Sequence, residues 1–258
     1  MITIRADQMT ALLQPIRDKF RNDMARHLRV FSPEHSTGIG EENLYRVIDL
    51  GMTRASGYGF TNRGPVRLYI ELMFLLGSHF DSDPQAPAWI MELLRNGDAA
   101  DQMIRARLLY GQTLDYLRAV AGPDDAYARR AVAAFRTLVR RPRLVMSEVT
   151  MRQDLLALMR EVYPERCDYV GDAALDRVID RGAAVADGLG LDKTRGAALC
   201  VLMLFQLGHG CFDDPLFPWV PLAVRSLTGD DPPSRTAQLE RKAMTYLDLI
   251  ARRLAAAH

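Results

Sequence analysis

"GHGCFDDPLFPW" runs from Gly208 to Trp219, and "GSHFDSDPQAPAW", from Gly77 to Trp89, states nearly the same pattern 131 residues earlier. Each stretch closes an apolar run with glycine, a histidine, acids, an Asp-Pro pair and a tryptophan. Working outward, a shift of 131 residues lays Gly40–Gly77 on Gly171–Gly208, and fourteen of the thirty-eight pairs are identical, well above chance. "RVIDLG" (Arg46–Gly51) meets "RVIDRG" (Arg177–Gly182), and "GYG" (Gly57–Gly59) meets "GLG" (Gly188–Gly190). Phe74, Leu76 and Gly77 meet Phe205, Leu207 and Gly208; with one compensating gap, Asp83, Pro84 and Trp89 meet Asp214, Pro215 and Trp219. Self-similarity at a fixed period decides the architecture before any motif does. It predicts an all-α fold, a helical bundle built from two pseudo-symmetric repeats of about four to five helices each. The predicted boundaries are an N-terminal repeat over 1–122, a linker helix over 123–145 and a C-terminal repeat over 146–258, packed as one compact unit.

The helices follow from apolar spacing. Met9, Leu12, Leu13, Ile16, Phe20, Met24 and Leu28 recur at three and four residues, the stripe of an amphipathic helix. Pro15 interrupts it, which predicts a start or a kink there. The counterpart runs from about Ser147 to Val162, and "FSP" and "YP" end the two helices. A second helix is expected over about 41–56 and 172–187, stopped by Gly57 or Gly59 and by Gly188 or Gly190 as caps. Thr61 and Asp192 are the expected N-caps of a third helix, apolar on nearly all sides, "VRLYIELMFLLG" and "AALCVLMLFQLG", and this pair is expected at the centre. A short helix over Ile90–Arg95 and Val220–Leu227 and a longer one over about Ala99–Val120 and Ser234–Leu254 complete each copy. "DDAYARRAVAAFRTLVRRPR" forms the linker helix, with Asp124 or Asp125 as N-cap and Pro142 as the stop.

The 258 residues carry 33 Lys plus Arg against 32 Asp plus Glu, a net charge of +1, and 48% are hydrophobic. Balanced charge argues against nucleic acid and acidic membranes as partners. Cys167, Cys200 and Cys211 are odd in number and form no CxxC pair, which fits a reducing compartment. No signal peptide is read in "MITIRADQMTALLQPIRDKF", and "AALCVLMLF" is about half the roughly 20 residues of a membrane span. A cytoplasmic protein is expected.

Candidate sites centre on the two corners. Asp-Pro and tryptophan, present twice, read as structure: Phe80, Asp83, Pro84, Trp89, Phe212, Asp214, Pro215 and Trp219 define the repeat corner, with aspartates bonding turn amides and tryptophans plugging the unit. His79, Asp81 and Asp83, and His209, Asp213 and Asp214, are the candidate metal ligands. Against them, the histidines fall out of register: His79 aligns with Gly210, and His209 with Ser78. No catalytic residue is assigned and no cofactor is expected. "GYGFTNRG" follows no strand and is no dinucleotide fingerprint, and there is neither a P-loop nor a GxSxG elbow. Cys211 reads as the more accessible thiol, its pKa raised by two neighbouring acids. Arg129, Arg130, Arg140, Arg141 and Arg143 form the local basic excess, and Tyr110, Tyr116 and Tyr127 supply interface-prone aromatics; together they are the expected partner contacts.

"FTNRGPVRLYIELMFLLGSHFDSDP" and "GHGCFDDPLFPW" resemble an uncharacterised family of bacterial proteins encoded near type VI secretion spike and toxin genes. The resemblance covers most of residues 8–89, echoes in 150–219, and assigns no catalytic residue. It implies an accessory protein that binds a secreted toxin or its carrier, as adaptor, chaperone or immunity protein. Two alternatives stand beside that expectation: a metal-dependent enzyme using the acidic corners, and a ligand- or nucleic-acid-binding regulator built on the cleft between repeats.

Overall fold

Local sequence sets the elements, and glycine and proline set their ends. A computed structural model describes residues 6–95, 101–141, 146–147 and 149–256. Among the described residues the chain forms thirteen α-helices, one 3-10 turn and no strand. The N-terminal half contains α1 (Ala6–Phe31), α2 (Pro33–Ile39), α3 (Glu41–Gly57), α4 (Arg63–Leu76), α5 (Ala88–Arg95) and α6 (Gln102–Ala121). A 3-10 turn, Pro123–Asp125, leads into α7 (Ala126–Val139). Then follow α8 (Met151–Val162), α9 (Pro164–Val170), α10 (Asp172–Gly188), α11 (Arg195–Leu207), α12 (Trp219–Arg225) and α13 (Pro232–Ala256).

Several expected ends move. α1 begins upstream of Pro15 and passes through it, because the exposed proline forfeits one backbone bond in a helix of 26 residues held by its packed face. α8 opens at Met151 rather than near Ser147. Gly59 and Gly190, at φ +73° and +60°, take the left-handed conformation that stops α3 and α10, whereas Gly57 and Gly188 are still helical. The residue at the cap of α11 is Thr194 rather than Asp192; Asp192, two residues upstream, braces the turn, its Oδ1 accepting from the Thr194 and Arg195 amides at 3.0 and 2.7 Å. Thr61 does not cap α4; instead Gln102 of α6 reaches across, its Oε1 accepting from the Thr61 and Asn62 amides at 2.8 Å each. Neither aspartate before α7 makes a side-chain cap: Asp124 and Asp125 both sit at positive φ, +47° and +57°. Pro142 and Arg143 lie outside the described residues.

Many details recur at positions 131 apart. The Phe60 amide donates to the Ala55 carbonyl at 2.9 Å, and the Leu191 amide to the Ala186 carbonyl at 2.9 Å. Gly77 and Gly208 share φ +94°. Arg105 of α6 donates to the Tyr58 carbonyl at 3.0 Å, and Arg235 of α13, 130 rather than 131 residues on, donates to the Leu189 carbonyl at 3.0 Å. Helix α3 packs on α4 and α10 on α11, with Gly51 facing Ile70 in one pair and Gly182 facing Val201 in the other. Small residues there let the helix axes approach.

One buried cluster runs from Met24 to Leu247 and draws on both halves. Helix α11 is buried on all sides from Gly196 to Phe205, as its composition predicts. Helix α4 is not: Leu75 is exposed, and Arg67 pairs with Glu71 on its outer side. The two apolar helices therefore do not pack along their lengths. They meet at their C-terminal ends, where a Cβ on Gly77 would lie 3.3 Å from the Leu207 carbonyl and one on Gly208 3.7 Å from that of Leu76. That meeting point places the two corners face to face.

Candidate functional site

Each corner leaves its helix through a glycine and turns back on an aspartate. Within its own loop, Asp83 Oδ1 accepts from the Gln85 amide at 2.8 Å, and Asp214 Oδ1 accepts from the Leu216 amide at 2.9 Å. The second oxygen of each carboxylate crosses to the other half. Asp83 Oδ2 accepts from the His209 amide at 2.8 Å, and Asp214 Oδ2 from the Ser78 amide at 2.9 Å. Ser78 and His209 are themselves 131 residues apart, so the exchange is reciprocal. Burying a carboxylate is costly unless its oxygens are hydrogen-bonded, and each oxygen of each aspartate here accepts one backbone amide. Burial disfavours the charge on Asp83, yet the His209 ring, the Gln85 and His209 amides and the more distant Arg166 outweigh it and hold the carboxyl below its usual range.

The remaining candidate ligands are dispersed. Asp81 faces the first half, accepting from Tyr69 and Tyr58 hydroxyls at 2.8 and 3.1 Å with Arg54 at 3.5 Å. Arg54 also donates to the Ser78 carbonyl and lies 3.4 Å from His79 Nδ1. Burial and the Asp81 charge raise both phenols above their ordinary pKa. Asp213 is exposed, and no group of three His, Cys, Asp or Glu among the described residues could hold a metal ion. The His79 and His209 rings meet edge to face, 5.8 Å apart, with His79 lying over Gly210. Cys211 is fully buried rather than accessible, and burial, ahead of the nearby acids, pushes its thiol pKa well up.

The cluster around Asp81 has no counterpart across the 131-residue shift. Arg54, Tyr58, Tyr69, His79 and Asp81 correspond to Val185, Leu189, Cys200, Gly210 and Phe212. One half carries a polar network where the other carries apolar residues, a difference readable in the sequence once the two stretches are aligned.

This network is expected to make the corner acid-labile. Burial, with the Arg54 charge, holds the His79 pKa below the ordinary 6.5. Below about pH 6.5 the unfolded chain then binds the proton more readily, so stability is complete above that value and falls as pH drops. Asp83 adds a second loss below about pH 4, as pH falls towards its depressed folded value. Urea midpoints measured from pH 8 to 3 are expected to decline in both windows, with His79→Gln flattening the first and Asp83→Asn the second. An unaltered profile between pH 7 and 5 in His79→Gln removes the histidine's part.

The expected partner contacts are mostly engaged inside the fold. Tyr116 is 5% exposed and packs edge-on against Tyr169. Arg130 stands over the Tyr127 ring and pairs with Glu165 of α9. Arg140 pairs with Asp248 of α13 at 3.0 Å and Arg141 with Glu161 of α8, so these arginines fasten α7 to the C-terminal helices. Arg129 is partly buried and also has a partner. Of the three tyrosines only Tyr110 is fully at the surface.

Behind the corners lies a cleft of about 390 Å³. The ends of α4 and α11 form its floor through Leu76, Gly77, Leu207 and Gly208, α6 and α7 one wall through Val120 and Phe135, and Tyr246 of α13 the other. Trp219 stacks on Tyr246, ring centroids 4.8 Å apart, and separates this cleft from a second of about 360 Å³ beside His35. The corner tryptophan thus acts as a partition. Arg166 of α9 enters the larger cleft with its guanidinium 5.4 Å over the Phe205 ring. No sequence pattern singles out Arg166, because an isolated arginine on a seven-residue helix has no periodic partner. Comparison of the chain with models of known families, with known proteins and with solved structures finds no match.

Proposed function

We propose that this chain is an internally duplicated, non-enzymatic binding protein of the bacterial cytoplasm, an adaptor, chaperone or immunity protein for a type VI secretion toxin. The duplication is supported by the reciprocal aspartate bonds and by the backbone details that recur 131 residues apart. A pseudo-two-fold axis through the meeting of Gly77 and Gly208 accounts for them.

The observation that carries a binding role is one face of α6. Met103, Ile104, Leu108 and Tyr110 are 49, 52, 46 and 55% exposed. At 100° per residue they fall with Arg107 and Gly111 on a single arc of the helix, opposite buried Arg105, Leu109, Thr113 and Tyr116. Large apolar side chains grouped on one exposed face, with an arginine among them, have the composition of a protein interface. The link to a secretion toxin comes from the resemblance of the corner stretches.

The test is co-purification with the toxin and spike products encoded beside this gene. Met103→Glu and Leu108→Glu are expected to weaken capture at least tenfold while leaving the melting temperature unchanged, since neither side chain is in the core. Failure of the wild-type protein to bind any product of that locus defeats the accessory role. Unchanged binding by both variants removes α6 as the surface.

A further inference from the structure

We infer that the cleft behind the corners is a binding site for a carboxylate carried on an apolar chain, with Arg166 as its counter-ion. The walls are aliphatic and aromatic: Leu76, Val120, Phe135, Met203 and Leu207 face one another across about 390 Å³. At about 30 Å³ per water-sized group, that space takes roughly a dozen non-hydrogen atoms. Small-molecule sites commonly join such an apolar chamber to a few convergent polar groups.

Here the unpartnered polar groups among the lining residues are donors. Arg166 Nε is buried without a hydrogen-bond partner, and its guanidinium, over the face of Phe205, makes no salt bridge among the described residues; the one buried carboxylate that feels its charge, Asp83, is more distant and is already held by the His209 and Gln85 amides. Its neighbour Glu165 is taken by Arg130. Trp219 Nε1, at the partition, is likewise buried and unpartnered. An unmatched donor in an apolar setting costs free energy, and an anion relieves it. The one acid lining the cleft, Asp125, is exposed. A ligand with one negative charge and an apolar body satisfies both the donors and the walls. A neutral hydrocarbon leaves Arg166 unmatched, and a phosphate gains nothing from the walls. The site lies apart from the α6 face, so this inference stands or falls independently of the secretion partner.

The experiment uses the full chain carrying Trp89→Phe, which leaves Trp219 as its sole tryptophan. Titrations by fluorescence and calorimetry compare decanoate with decan-1-ol, and an apolar tripeptide bearing a free C-terminus with the same peptide amidated. The first pair probes a free acid and the second a peptide terminus as the source of the carboxylate. Saturable one-to-one binding of decanoate or of the free peptide is expected, with a change in Trp219 emission and affinity at least tenfold above the uncharged analogue. Arg166→Met keeps the length of the apolar stem and is expected to erase that tenfold preference. Should that variant fail to fold, the carboxylate-to-alcohol and acid-to-amide ratios on the parent protein decide alone. No saturable binding by either acid, equal affinity for the uncharged analogues, or binding that leaves Trp219 emission unmoved overturns the assignment.

Discussion

Asp214→Ala is expected to lose about 3–5 kcal/mol of unfolding free energy, read as a lower denaturant midpoint at unchanged slope. The side chain is 2% exposed and accepts two backbone hydrogen bonds, from Ser78 at 2.9 Å and Leu216 at 2.9 Å. Removing it strands both amides where water is excluded. Each bond to a charged acceptor contributes about 1.5–3 kcal/mol, and small domains hold only about 5–15 kcal/mol in all. Asp83→Ala is expected to cost a similar amount through the His209 and Gln85 amides. Because each aspartate holds the loop that carries the other, the double variant is expected to lose less than the sum of the singles, a coupling of about 0.5–3 kcal/mol. A midpoint for Asp214→Ala within experimental error of wild type would contradict the exchange of bonds between corners.

Gly182→Ala is expected to cost about 2–4 kcal/mol, and Gly51→Ala about 1–2 kcal/mol, although both introduce the same methyl at aligned positions. The added carbon at Gly182 would sit 2.5 Å from Val201 Cγ2 and 2.8 Å from both the Val201 Cα and N. Backbone stands in the way, so α10 and α11 must separate. At Gly51 the obstacles are Ile70 Cγ1 at 2.6 Å and Met73 Sδ at 2.9 Å; the thioether can turn aside and the stiff, buried Ile70 must shift, but no backbone atom stands in the way. Alanine's higher helix propensity, about 1 kcal/mol over glycine, offsets much of the remaining strain at Gly51. Thermal melts of the two variants side by side provide the comparison; equal shifts would show that both helix pairs approach with the same slack.

The helices were legible because apolar spacing reports a buried face directly. Glu41–Gly57 and Asp172–Gly188 end within a residue of where the glycines place them, since a positive-φ glycine is a local instruction. Ends set by distant partners were not legible. Gln102 caps α4 from another helix, and no neighbouring residue of Thr61 announces it. The same limit explains the arginines of α7. A basic run looks like a free patch until Glu161, Glu165 and Asp248, scattered later in the chain, come to meet it. Tyr116 and Tyr110 lie six residues apart on one helix, and only packing decides that the first is inside and the second outside. At the corner, Asp83 and Asp214 were readable as turn-bonding acids. That one oxygen of each belongs to the opposite half was not, because a sequence pattern names an acceptor without naming its donor.

That exchange also sets a timetable for the newborn chain. The bond from His209 to Asp83 spans 126 residues, and the bond from Ser78 to Asp214 spans 136. At a synthesis rate of about 5–20 residues per second, Asp83 is made roughly 6–25 s before its donor. During that interval Asp83 Oδ1 has the Gln85 amide of its own loop, whereas Oδ2 has nothing to accept from across the corner. Both bonds therefore wait on the second half of the chain, and neither corner can close on the other until Asp214 has been made.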